Sequence, residues 1–165
     1  MPDAPTPDGL PMNQPLPDRP HAARRRWMAV LARADSVAIA DLIGISGGMP
    51  EYQKLRGPDA GLVMVRGRAG GGGAAFNLGE MTVTRCTVRT DAGFVGHAYV
   101  AGRDERQAEM AALADALLQN PARQPGLLAA LIEPLAAAQQ AGRDATTAKA
   151  AATRVQFFAM RNMRS

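Results

Sequence analysis

The sequence is short of the residues on which many catalytic and stapled folds depend. It has one cysteine, Cys86, so no disulfide closes within the chain and no multi-cysteine zinc or iron–sulfur site forms from it alone. Of its two histidines, His97 stands in the middle of the chain and His21 beside a proline-rich start, so a histidine-based metal site is not expected. Aromatic residues make up 4% of the chain, which leaves Ala, Leu, Val and Met to fill the core. No run of about 18 apolar residues occurs, so no membrane span is expected. The start carries no apolar segment of signal-peptide type, which makes the cytoplasm the expected location. Lysine is scarce: 17 of the 19 basic residues are arginine. No self-similar repeat is present.

What remains is enough for one domain. A chain of 165 residues, 47% of them hydrophobic, can build a core without staples. Seven of the twelve prolines precede His21, and such a segment buries little apolar surface. Residues 1–22 are therefore expected to be a disordered Pro-rich tail, and 23–165 a single α+β domain. The net charge of +4 rests on arginine, whose planar fork suits carboxylate and phosphate oxygens. A GC-rich coding bias would raise arginine and alanine together and explains the composition as simply. A nucleic-acid module would need a helix-turn-helix, an RRM signature or a basic–aromatic pattern, and none is present.

The order of elements follows from periodicity. Glu51–Arg56 reads as a strand, joined by a Gly57-Pro58-Asp59 turn to a second at Leu62–Arg66. Met81–Arg89 is another, and Phe94–Val100 follows the Thr90–Gly93 turn. Residues 154–161 fit either a helix or a strand, with Val155, Phe157 and Ala159 alternating toward a strand that returns to the sheet. The expected fold is thus α+β, an antiparallel sheet of about four or five strands with helices packed on it. Trp27, Val30, Leu31 and Ala34 share one face of a short helix. Ser36 is the expected N-cap of the next, and Asp104 with Gln107 forms a variant capping box before the Met110–Leu118 stripe. The run from Gly126 is expected to be helical with an interruption near Pro134, and the Ala-rich 136–152 helical as well.

The Met81–Arg89 strand poses the functional question. Met81, Val83, Arg85, Thr87 and Arg89 lie on one face, and Thr82, Thr84, Cys86 and Val88 on the other. Two arginines on one face cannot sit in a dry core without partners. That face must reach solvent, a carboxylate, a phosphate or another subunit. Arg66, Arg85, Arg89 and Arg103, with Arg68 nearby, are the candidates for a substrate phosphoryl group; ion pairs with acidic residues are the plainer use. His97 is the candidate acid–base group, with Glu80, Asp104 or another chain as partner; a hydrogen-bonded structural histidine is the alternative. Cys86 on the apolar face reads as a small buried hydrophobe. Asn77, Glu80 and Thr82 fit a pocket rim or plain turn and strand-edge roles. Trp27 sits either in the core or at a partner interface. The Gly70–Gly73 run has no Lys-Ser/Thr pair after it, which excludes a P-loop and leaves a mobile loop or partner contact.

Four separated blocks carry a family resemblance. RRRWMAVLA, GLVMVRGRAGGGGAAFNLGEMTVTRCTVR, GHAYVAGRD and the closing RVQFFAM occur in collinear order across residues 24–163. Together they resemble the PhnG subunit family of the bacterial carbon–phosphorus lyase core complex. One departure is the glycine run, which lacks the threonine expected there.

The resemblance implies an accessory role in phosphonate catabolism. A PhnG-like chain would work in a hetero-oligomer with PhnH, PhnI and PhnJ. It would support the transfer of phosphonate to the ribose C1 of ATP with release of adenine, giving a ribose 1-phosphonate 5-triphosphate. ATP is then a co-substrate of the complex, and the iron–sulfur cluster and S-adenosylmethionine belong to PhnJ. No cofactor or metal is expected in this chain, which would be inactive alone. The reading from another class is a stand-alone small enzyme acting on a phosphorylated metabolite, which needs His97, Glu80 and arginines in one pocket.

Overall fold

The structure is a computed structural model and describes residues 21–68 and 73–153. Helices α1 (Ala22–Leu31) and α2 (Ser36–Ile45) lead into a three-stranded antiparallel sheet of β1 (Tyr52–Gly67), β2 (Phe76–Thr90) and β3 (Val95–Ala101), in the order β1-β2-β3. Helix α3 (Glu105–Leu118) crosses one face of the sheet, and α1 and α2 pack on its far side. The chain ends in α4 (Gln124–Leu127), a π-helical turn (Leu128–Ile132) and α5 (Glu133–Ala152). Residues 1–20 of the expected tail, the glycine run except Gly73, and the 154–161 segment lie outside the described residues. Helix α1 starts at Ala22, one residue before the expected domain boundary.

Alpha-3 is the centre of the molecule. Every residue from Met110 to Leu118 is buried, because the sheet covers one side and two helices cover the other. A helix enclosed all round must be apolar nearly all round, and Ala, Leu and Met supply that, with Asp115 the one charged residue of the run. The sheet face against it alternates as a half-buried strand should: Thr84, Cys86, Val88 and Thr90 are buried, while Arg89 is exposed. Gly96 of β3 touches α3 most closely. A Cβ there would collide with the carbonyl oxygen of Ala112 and the amide nitrogen of Ala116, so only glycine lets strand and helix meet backbone to backbone.

Among the described residues the sheet has three strands, not the expected four or five. The two strands expected on either side of Gly57-Pro58-Asp59 are one, because the chain bulges there without turning back. Beta-1 stays paired with β2 from Tyr52↔Thr90 to Gly67↔Phe76, with register shifts between Lys54 and Arg56, between Arg56 and Asp59, and again between Val65 and Arg66. Gly57 takes φ +66°, and Pro58 is tolerated because β1 is an edge strand. The other proposed strand, 154–161, falls beyond the described residues.

Local signals at the helix ends are mostly those of the sequence. Asp35, not Ser36, caps α2: its carboxylate accepts from the Val37 amide at 2.8 Å, while Ser36 is the first helical residue and is buried. Asp104 caps α3 through the Gln107 amide at 2.8 Å. The Gln107 side chain does not complete a capping box. It donates to the carbonyls of Ala32 and Ala34 and ties α1 to α3. The interruption near Pro134 is the π-turn, which places the proline in the first turn of α5, where its missing N–H costs least.

Candidate functional site

Among the described residues, no helix lies over the face of the sheet opposite α3. Cross-strand pairing sets its side chains in rows: Asp59–Arg85–Tyr99, then Thr87–His97, then Gln53–Arg89–Val95. The strand alternation thus delivers Arg85, Arg89 and His97 to one surface, which reaches both solvent and a carboxylate.

Arg85 is already engaged. Its Nη2 donates to Asp59 Oδ2 at 2.6 Å, and Arg56 Nε approaches Asp59 Oδ1 at 3.5 Å. The hydrogen bond from Arg85 holds the Asp59 carboxyl below its usual range, and Asp59 in turn raises Arg85 above the ordinary guanidinium value. The side chain lies over Gly61, where a Cβ would sit 3.5 Å from Nη2. Its Nε is buried and has no acceptor among the described residues. Arg89 donates to Gln53 Oε1 at 3.2 Å beside an open depression that Glu51 and Asp91 also line. His97 is exposed, with Nδ1 3.1 Å from Thr87 Oγ1.

The other candidates lie elsewhere. Arg66 faces Asn77, eight residues from Arg85 along β2 and so about 27 Å away, and donates to the Ala75 carbonyl at 3.2 Å. Glu80 pairs with Met64, about 24 Å along the strand from Thr87. Neither Glu80 nor Asp104 hydrogen-bonds to His97 among the described residues. Thr82 pairs with Leu62. Arg68 and Arg103 are exposed. Cys86 is buried on the α3 side, and burial pushes its thiol pKa up, which removes the thiolate a nucleophile would need. Trp27 lies in the core, not on a surface. No cluster of three or more His, Cys, Asp or Glu suited to a metal ion occurs among the described residues.

Two features were missed in the sequence. Asp115, fully buried on α3, accepts from Arg24 Nε at 3.1 Å and Nη2 at 2.6 Å, Trp27 Nε1 at 2.8 Å, the His97 backbone N–H at 2.9 Å and Gln119 Nε2 at 3.4 Å. One carboxylate therefore fastens α1 and β3 to α3, and Arg24 of the basic cluster serves the fold. Its signal was a lone acid within the apolar run ALADALL. The second feature is the distal half of the β1–β2 hairpin, which runs past α3 as an arm. Leu62, Met64, Phe76, Leu78 and Met81 are exposed there, Leu62 at 64% and Leu78 at 57%. Exposed apolar residues gathered on one projecting element mark a surface built for contact.

The chain matches the family model described as "Phosphonate metabolism protein PhnG" over residues 22–162. It is also similar to a protein of Rhizobium meliloti (strain 1021) named alpha-D-ribose 1-methylphosphonate 5-triphosphate synthase subunit PhnG. The two are 45% identical over 139 residues, covering 84% of this chain and 88% of the relative.

Proposed function

Because the chain belongs to the PhnG family of phosphonate metabolism proteins, we propose that it is an accessory subunit of an alpha-D-ribose 1-methylphosphonate 5-triphosphate synthase. It supports the transfer of phosphonate to the ribose C1 of ATP, with adenine as leaving group, inside a hetero-oligomer with PhnH, PhnI and PhnJ. ATP is the co-substrate of that assembly, and the iron–sulfur and S-adenosylmethionine chemistry falls to PhnJ. This chain's own contribution is to bind and position.

The observation that carries this reading is the apolar arm. A two-stranded ribbon alone is marginal in water, and Leu62, Met64 and Leu78 find no cover among the described residues, as suits a surface that a partner subunit buries. The open face supports the same view. Arg85 is neutralised by Asp59, and His97 has a threonine and, among the described residues, no hydrogen-bonded carboxylate beside it, an arrangement suited to positioning more than to acid–base work. Arg85, Arg89 and His97 sit where a neighbouring subunit's substrate would meet them; Arg66 and Arg103 would meet it only from separate regions.

The test is coexpression of the tagged chain with the other subunits, pull-down, and adenine release from ATP plus methylphosphonate. A stable complex whose activity disappears without this chain is the expected result. Turnover by this chain alone, with no complex formed, would overturn the reading. Arg85→Ala and His97→Ala then separate assembly from chemistry.

A further inference from the structure

The free edge of β3 is capped along half its length and open along the rest. Among the described residues β3 pairs with β2 on one side only. Near its start, Asp115 Oδ2 accepts from the His97 amide at 2.9 Å and Gln119 Nε2 donates to the Val95 carbonyl at 2.6 Å. Those groups therefore point away from β2. In an antiparallel ladder the direction repeats every second residue, so the N–H and C=O of Tyr99 and the N–H of Ala101 point the same way. The Gly102 amide, bonded to the Thr82 carbonyl at 2.9 Å, shows the opposite parity facing β2. No hydrogen bond from the body of the chain reaches the backbone of Tyr99 or Ala101 on this side among the described residues.

Beside this open stretch lies a groove of about 220 Å³ between β3 and α1, lined by Met28, Ala29 and Ala32 from the helix and by His97–Val100 from the strand. Its helix wall is apolar and small-residued. We propose that the edge from His97 to Ala101 receives an extended strand of another polypeptide in the assembly, which makes the sheet four-stranded and sets an apolar side chain against Met28 and Ala32. This rests on the subunit reading above. The backbone groups dictate a strand, since only extended chain presents N–H and C=O in the matching alternation. A second copy of this chain does not fit: its β3 comes with β2 hydrogen-bonded along the other edge, and α1 on the far side of the groove would stand where that second strand must lie.

Amide hydrogen exchange on the isolated chain and on the coexpressed assembly tests this residue by residue. In the isolated chain the Ala98 and Val100 amides exchange slowly, and those of Tyr99 and Ala101 at least about tenfold faster. In the assembly the latter two slow by about a hundredfold or more. Tyr99→Pro, which removes an outward N–H that an edge strand can spare, weakens co-purification at least about tenfold with the fold retained by circular dichroism. Ala29→Trp blocks the groove from the helix side without touching the strand and does the same. Tyr99 remaining fast in a formed assembly overturns the proposal and leaves the subunit reading intact. So does protection already present in the dilute isolated chain, which would mean that the chain covers its own edge. Protection that grows with the concentration of the isolated chain assigns the edge to a second copy, against the proposal. Failure of any assembly to form removes both readings.

Discussion

Strands β1 and β2 pass through two environments, and the comparison separates what a strand sequence sets from what its cover sets. Over the body, Thr84, Cys86 and Val88 press against α3 and are at most 2% exposed. Over the arm, Leu62 and Met64, paired with Thr82 and Glu80, occupy the continuation of that same face and stand in solvent. Pairing persists across both halves, and alternation runs unbroken from Asp59 to Val65, up to a register shift between Val65 and Arg66. What changes is that α3 ends. Apolar character in a strand therefore marks a surface that will be covered, but not by which chain.

The largest break of this contrast is at the fastening of the body. Asp115→Ala leaves Arg24 and the His97 amide without their acceptor, and is expected to cost about 3–5 kcal/mol in denaturant unfolding; a loss under about 1 kcal/mol would show that water replaces the carboxylate. Next, Leu113→Ala in α3 should cost about 3 kcal/mol. Leu78→Ala on the arm should change the isolated chain by less than about 0.5 kcal/mol. Equal costs would mean that the arm folds back on the body in solution. In the assembly the order reverses: Leu62→Ser with Leu78→Ser should weaken co-purification by more than about tenfold, or 1.4 kcal/mol. The smallest effects are titrations. Asp59 has a folded pKa below its ordinary 3.8, so its contribution is full at neutral pH and is lost as pH falls through the folded value. The stability gap between the native chain and Asp59→Asn should close only in acid. Tyr52, whose pKa burial and then the 2.8 Å hydrogen bond to Glu109 push up to about 12, contributes below pH 10 and loses that contribution as pH rises toward 12. Tyr52→Phe should flatten that alkaline decline.

Much of this was legible from local rules. The α3 stripe, the Asp104 cap, the Thr90–Gly93 turn and the two faces of β2 follow from period and turn chemistry, which are properties of neighbours in sequence. The strand count failed at Gly57-Pro58, because a bulge and a turn use the same residues and only pairing with β2 tells them apart. The cap at Ser36 was off by one, since Asp35 offers the same chemistry. Asp115 was invisible for a deeper reason: its partners lie 88 and 91 residues away in the chain. Of the candidate site, the sharing of a face by Arg85 and Arg89 was readable, whereas the neutralising role of Asp59 depended on the bulge that had been misread as a turn.

That bulge also acts as a counter. Between Lys54↔Val88 and Ala60↔Thr84, β1 spends six residues against four on β2. Two extra residues leave the pleat in phase, so Leu62 and Met64 lie on the same side as Lys54. Loss or gain of one residue in this segment would turn the β1 side chains of the arm to the opposite side, and loss of two would turn none. Length here is a parity, and insertions or deletions between Lys54 and Ala60 should be tolerated in pairs.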